Sequence, residues 1–254
     1  MADEPGITGA AAVLRTARRV LAFTGAGISV ASGIPPFRGE DGLWTRFDPS
    51  SLALDTFLDD PAAAWRFLNE IFYLPLAGAA PNPAHRALAS LERAGRLAAV
   101  ATQNVDGLHR AAGSRRVHEL HGTLRRLRCL ACEAVSALAD SGLGELPPTC
   151  RLCGGILRPE IVFFDEGLAE PARSDAFAAA AGCDAILVIG TSGEVLPAGL
   201  LPWTAAEHGA TVIEINTVPS AYTEPLTDLF LQGSATALLP RLAAALDLAP
   251  PPAE

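Results

Sequence analysis

Four of the five cysteines fall in the pattern Cys129-x2-Cys132-x17-Cys150-x2-Cys153. Two CxxC knuckles at that separation have the ligand spacing of a zinc ribbon, in which each pair grips the ion from a tight turn. Four thiolates complete a tetrahedron and leave no position for water, so such a site holds structure and does not catalyse. The span between the pairs contains Gly142, Gly144, Pro147 and Pro148 and is too short to bury much core, which is why it needs a metal. A pair of redox dithiols is the other reading of the same spacing. Cys183 stands apart, ahead of an apolar run, and reads as a plain buried thiol.

A second chemistry sits in Phe23-Thr24-Gly25-Ala26-Gly27-Ile28-Ser29, which follows the apolar run Val20-Leu21-Ala22-Phe23. Strand, glycine turn and helix start together hold a pyrophosphate: glycines let backbone approach the anion, and a helix N-terminus offers free N–H groups. The third glycine of the usual fingerprint is missing, with Val30 in its place, and a tight strand-to-helix turn would need the same residues. Beyond it, Pro35, Pro36, Phe37, Arg38 and Gly39 read as a loop whose aromatic and arginine could cover a ligand and pair with a phosphate. A third cluster, Gln103-Asn104-Val105-Asp106, ends the apolar run Leu97–Ala101. Amides and a carboxylate at a strand end suit a ribose or a carboxamide. Small polar groups also end two later runs, at Gly190-Thr191-Ser192 and at Asn216. His109, His118 and His121 are each able to act as a general base, and position alone does not choose among them.

The elements that would position these groups follow from periodicity. Residues 8–19 read as an amphipathic helix, 84–91 as a second and 234–248 as a closing one, with Pro250-Pro251-Pro252 ending the order. The stripe Phe57, Trp65, Phe67, Leu68, Ile71 and Phe72 has helical spacing and reads as packing. Residues 116–122 look like a strand. The continuous apolar runs 185–189 and 211–215, separated by helical stretches, have the character of strands buried on both faces of a parallel sheet. The expected fold is therefore α/β.

Composition narrows the partners. The chain has 254 residues, half of them hydrophobic, enough for one large domain or for one domain with a lobe inserted in it. All 19 basic residues are arginine, which excludes a Walker or Schiff-base lysine and any modification of the protein's own lysines. The net charge of −9 disfavours direct nucleic-acid binding. Arg115, Arg116, Arg125, Arg126 and Arg128 form a local basic patch that reads as a solvated face. The acidic start, Met1 to Pro5, has no signal-peptide character, and no apolar run reaches membrane-spanning length, so a cytoplasmic protein is expected.

Assembled in order, these residues resemble the sirtuins, the NAD-dependent protein deacylases. The resemblance rests on Gly25–Ser29, Ser32-Gly33-Ile34-Pro35, Phe37-Arg38-Gly39, Thr102–His109, His121-Gly122, the four cysteines, Gly190-Thr191-Ser192 and Ile215-Asn216. It implies a single catalytic domain over 1–254: a Rossmann-like parallel-sheet lobe of about 1–34, 82–121 and 164–254, and a small lobe of about 35–81 (helical) and 122–163 (zinc ribbon). NAD and an acyl-lysine protein or peptide would share the cleft between them, and one zinc ion would be structural. Gly25, Ala26, Gly27, Ser29 and Arg38 would hold the phosphates and Phe37 shield the nicotinamide. Gln103 and Asn104 would address its ribose, and Val105 and Asp106 the carboxamide. Gly190, Thr191, Ser192 and Asn216 would surround the adenosine half. His121 would deprotonate a ribose hydroxyl while the acyl oxygen attacks the ribose, giving an alkylimidate and then O-acyl-ADP-ribose. Ile161, Val162 and Phe164 resemble the acyl-lysine clamp.

Departures from the family pattern are also visible. Pro36 replaces a polar residue, and Asp165 replaces the glycine of Phe-Gly-Glu, which would alter peptide binding. The helix around Trp65 resembles the desuccinylase class, but Leu68 and Ile71 occupy the places of its acid-gripping tyrosine and arginine. Apolar acyl groups, not succinyl, are therefore expected. The rival readings are an ADP-ribosyltransferase or NAD hydrolase on the same site, and an NAD-binding module with weakened catalysis.

Overall fold

The structure is a computed structural model and describes residues 4–39 and 42–248; the expected proline-rich end at 250–252 lies outside them. Among the described residues there are nine strands: β1 (Val20–Thr24), β2 (Ala99–Thr102), β3 (Val117–Glu119), β4 (Gly122–Cys129), β5 (Val135–Ala137), β6 (Leu157–Ile161), β7 (Ala185–Ile189), β8 (Thr211–Asn216) and β9 (Leu229–Gln232). Six of them form a parallel sheet in the order β3-β2-β1-β7-β8-β9.

Alternation along each apolar run explains the two-sided core. Val20 and Ala22 of β1, with Ala185, Leu187 and Ile189 of β7, face one cluster; Leu21 and Phe23, with Ile186 and Val188, face another. Side chains in a strand point to opposite faces with a period of two, so a continuous apolar run must be covered on both sides. Helices Glu4–Thr16, Pro83–Arg93 and Ala235–Ala245 cover the first face. Helices Ala172–Ala181 and Leu201–Glu207 cover the second.

The remaining strands form a separate antiparallel sheet, β5-β4-β6, which packs against the helical segments 54–77. Trp65, fully buried, donates its indole N–H to the Leu157 carbonyl at 2.7 Å and stacks on Tyr73. The two parts of this small lobe are thereby joined across one core. The helical stripe is interrupted by a widened turn, Asn69–Tyr73, which turns Ile71, Phe72 and Tyr73 all inward.

Two expectations need correction. Residues 116–122 are not one strand: β3 ends at Glu119, and Gly122 opens β4 in the other sheet. Gly122 stands at φ 76, and a Cβ there would lie 2.0 Å from the Glu160 carbonyl, so only glycine can make this crossing. The segment after Gly27 is not an α-helix either, but two single 3-10 turns, Ala26–Ile28 and Val30–Ser32, stopped by the left-handed Gly33. Among the described residues no helix is long and apolar enough to cross a membrane.

Candidate active site

Strand order reverses between β1 and β7: the chain runs outward to β2 and β3 on one side, and to β8 and β9 on the other. Loops at such a switch point part company and leave a crevice beyond the carboxyl ends of the strands. Here that crevice is a cleft of about 810 Å³, inside the range of about 300–1,000 Å³ typical of small-molecule sites.

Its floor is made by three glycines. Gly25 N–H donates to Ile189 O at 3.0 Å and Gly27 N–H to Gly190 O at 2.9 Å. A Cβ on Gly25 would sit 2.8 Å from Gly190 O, and one on Gly27 would sit 2.7 Å from Gly190 Cα. The glycines are thus required by the contact between the ends of β1 and β7, and the smooth wall they leave is the cradle a phosphate chain needs. Ala26 and Ser192 line the same wall. Thr191 is held there twice: Gln103 Nε2 donates to its hydroxyl at 2.9 Å, and Asn216 Nδ2 to its carbonyl at 3.0 Å.

Asn104 is buried. Its Nδ2 donates to Gly25 O and to Ser29 Oγ, both at 3.2 Å, and Oδ1 has no donor among the described residues. Val105 lines both the main cleft and a smaller adjoining cavity. Ser29 and Asp106 line only the smaller cavity, where Ser29 Oγ donates to Asp106 Oδ2 at 2.7 Å. Burial raises the Asp106 carboxyl above its usual range, against the Leu108 N–H and the Ser29 hydroxyl. Phe37 lines both cavities and packs its ring against Trp44 and Phe72. Arg38 lines the main cleft and pairs with Glu194 at 2.8 Å.

Geometry separates the three histidines. His109 is buried behind the cleft, with Nε2 2.9 Å from Thr24 Oγ1 and its ring edge-on to that of His85. His118 faces Asp175 at 4.0 Å and is not among the residues lining the cleft. His121 does line it, and its Nδ1 lies 2.9 Å from the Gln103 carbonyl. A carbonyl only accepts, so Nδ1 carries the proton and neutral His121 presents Nε2 as an acceptor. Burial lowers its pKa; the Gln103 carbonyl raises it, but by less.

The far wall is formed by 161–166. Ile161, Val162 and Phe164 line the cleft, and the segment is tied to the histidine itself: Val162 N–H donates to His121 O at 2.9 Å. Leu68 and Ile71 are placed differently. They are 1% and 2% exposed within the small-lobe core; Ile71 touches only the smaller cavity and Leu68 touches neither. Sequence reading passed over Trp44, Leu52 and Phe163, which also line the cleft. Their only signal is aromatic or apolar character, with no spacing or polar group to mark them.

The four cysteine sulfurs lie within 4.8 Å of one another, with Cys129–Cys153 at 3.5 Å and Cys132–Cys150 at 3.7 Å. Thiolates at about 2.3 Å from a tetrahedral Zn²⁺ stand roughly 3.8 Å apart, so the set fits that ion. The arginine patch is partly answered: Arg126 and Arg128 pair with Glu160 at 2.6 and 2.5 Å.

Comparison with known proteins agrees with this geometry. The profile of the Sir2 family matches residues 25–197. The chain belongs to the Sir2 family. An NAD-dependent protein deacylase 2 of Pyrobaculum aerophilum is 49% identical over 234 residues, 91% of this chain and 92% of that protein. A Sir2 homologue solved as an NAD complex superposes with a TM-score of 0.86 at 38% identity, covering 96% of this chain and 94% of the other. A Sir2 complex with a p53 peptide and NAD⁺ superposes with a TM-score of 0.83 at 33% identity, covering 92% and 95%.

Proposed function

We infer that this chain is an NAD-dependent protein-lysine deacylase, which passes the acyl group of a modified lysine to ADP-ribose and releases nicotinamide. The observation that carries the reading is the neutral His121 tautomer, whose Nε2 shares one cleft with the glycine floor and with the 161–166 wall. NAD, when bound, supplies an electrophilic ribose carbon whose leaving group is nicotinamide.

The chain's own residues do the rest. The floor of Gly25, Ala26 and Gly27 takes the phosphates, with Arg38 above it. Asn104 Oδ1 accepts from a ribose hydroxyl, and Nε2 of His121 removes a proton from another. Gln103 orients that ring through its carbonyl and Thr191 through its amide, so it bridges the base and the adenosine side. Ser192, Gly190 and Asn216 complete that side. Asp106, set back behind Ser29, offers a carboxyl to the carboxamide, and Phe37 closes over the nicotinamide end. Cys129, Cys132, Cys150 and Cys153 would hold a zinc ion and so tie the end of β4 to the approach to β6.

The wall of Ile161, Val162 and Phe164 receives the acyl-lysine. Trp44, Leu52, Phe72 and Phe163 add aromatic and aliphatic surface and no charge. Leu68 and Ile71 back this lining from the core and bring no charge to balance a carboxylate. The acyl groups accepted are therefore apolar, from acetyl to longer chains. The lobes divide at about 34/35, 81/82, 121/122 and 163/164. The acidic charge of −9 and the pairing of Arg126 and Arg128 with Glu160 argue against direct nucleic-acid binding.

The test is nicotinamide release, with mass spectrometry of products, from NAD and acetyl-, myristoyl- and succinyl-lysine peptides. Peptide-dependent release with O-acyl-ADP-ribose is expected. Release without peptide would point to an NAD hydrolase, and a succinyl preference would refute the apolar acyl assignment.

A further inference from the structure

The peptide-facing wall of the cleft carries one charge that no other described residue answers. Asp165 is exposed at the cleft edge beside Phe164 and has no hydrogen bond or ion pair among the described residues. Its backbone stands at φ 74, in the left-handed region that glycine occupies freely and other residues rarely do. The carboxylate gains nothing inside the chain in return for that conformation.

Its neighbours are pinned. Arg158 grips Glu166 at 3.0 and 2.6 Å, and Glu166 in turn accepts the Phe163 N–H at 2.9 Å. Phe164 N–H donates to Leu52 O at 2.8 Å. Both flanks of Asp165 are held, and its side chain is exposed. The other two acidic or basic residues that line the cleft are paired, Glu166 with Arg158 and Arg38 with Glu194. Among the described residues Asp165 is therefore the unpaired carboxylate of the cleft lining.

Acylation converts the lysine ammonium to a neutral amide, so the modified residue itself offers that carboxylate nothing. A complementary cation must come from beside it. In an extended peptide each residue advances about 3.3 Å, which keeps side chains one or two positions away within reach. We propose that Asp165 is a specificity-determining residue that selects acylated segments with arginine or lysine within two residues of the modified lysine, and disfavours acidic flanks. This rests on the deacylase reading and on the 161–166 wall as the peptide's place.

The experiment uses three acetyl-lysine peptides that differ only in flanking residue, Arg, Ala or Glu. Wild-type kcat/KM should favour Arg over Glu by about threefold or more, the range for a partly exposed charge pair. Raising ionic strength should shrink the ratio. In D165N, where asparagine tolerates the same backbone, and in D165G the ratio should fall towards one. A wild-type ratio near one at low ionic strength, or a ratio unchanged in both variants, overturns the proposal. Binding of the same peptides without NAD, followed by fluorescence anisotropy, gives the ratio without turnover. Absence of turnover on all three would then count against the deacylase reading alone, while the binding ratio still decides the role of Asp165.

Discussion

At the scale of the residue, the His121 ring is set by one carbonyl. Substituting it by alanine removes the base but not the glycine floor. H121A should lose at least about a hundredfold in kcat, the low end of general-base catalysis, while calorimetry still detects NAD binding. Because burial lowers the histidine's pKa, the neutral base persists below the ordinary imidazole value of about 6.5. The acid limb of the wild-type rate profile should accordingly bend below that value, and a limb centred above it would contradict the environment described. Leu68 makes a different point. Its alignment position was legible in the sequence, but its place inside the core was not, because a helical stripe does not say which of its members reach a cavity. At 1% exposure, L68A should cost about 2–5 kcal/mol of stability by chemical denaturation.

At the scale of the element, each end of the glycine floor depends on the other. G27A would push a methyl group against the backbone of Gly190 and separate β1 from β7 at the proposed phosphate cradle. The expected result is a KM for NAD raised at least about tenfold with a lower melting temperature; an unchanged KM would mean that the strand ends yield freely. The zinc knuckles join β4 to the approach to β6. Zinc analysis should find one ion per chain, and removing it with a chelator should melt the small lobe first, seen as loss of Trp65 burial by fluorescence. The parallel strands β1, β7 and β8 and the cysteine pairs were readable because each carries its own signature: an unbroken apolar run, or a fixed ligand spacing. The switch of sheets at Gly122 was not readable. Val117 to Gly122 has strand character throughout, and only the Glu160 carbonyl, far along the chain, shows why glycine stands there. The short strands β5 and β9 gave no periodicity long enough to recognise.

At the scale of the whole molecule, a buried polar seam runs behind the cleft. His85 and His109 pack edge-on there, and burial depresses the pKa of His85 to about 4 and that of His109 well below 6.5. Unfolded, both would titrate near 6.5, so between that value and about 4 the unfolded chain binds more protons than the folded one. Stability should therefore be full above pH 6.5 and fall on acidification, by up to about 1.4 kcal/mol per pH unit for each histidine. The raised carboxyl of Asp106 opposes this in part, since it takes up its proton earlier in the folded state. Melting temperatures from pH 7 to 5 should show the decline, and H85N should make it shallower.

The crossing at Leu120–His121 joins the two sheets. Leu120 N–H donates to Thr102 O of the parallel sheet, His121 O accepts from Val162 beyond β6, and Gly122 begins β4. The imidazole is thus carried on a span that both sheets grip, so loosening either lobe would reach the ring through its own backbone.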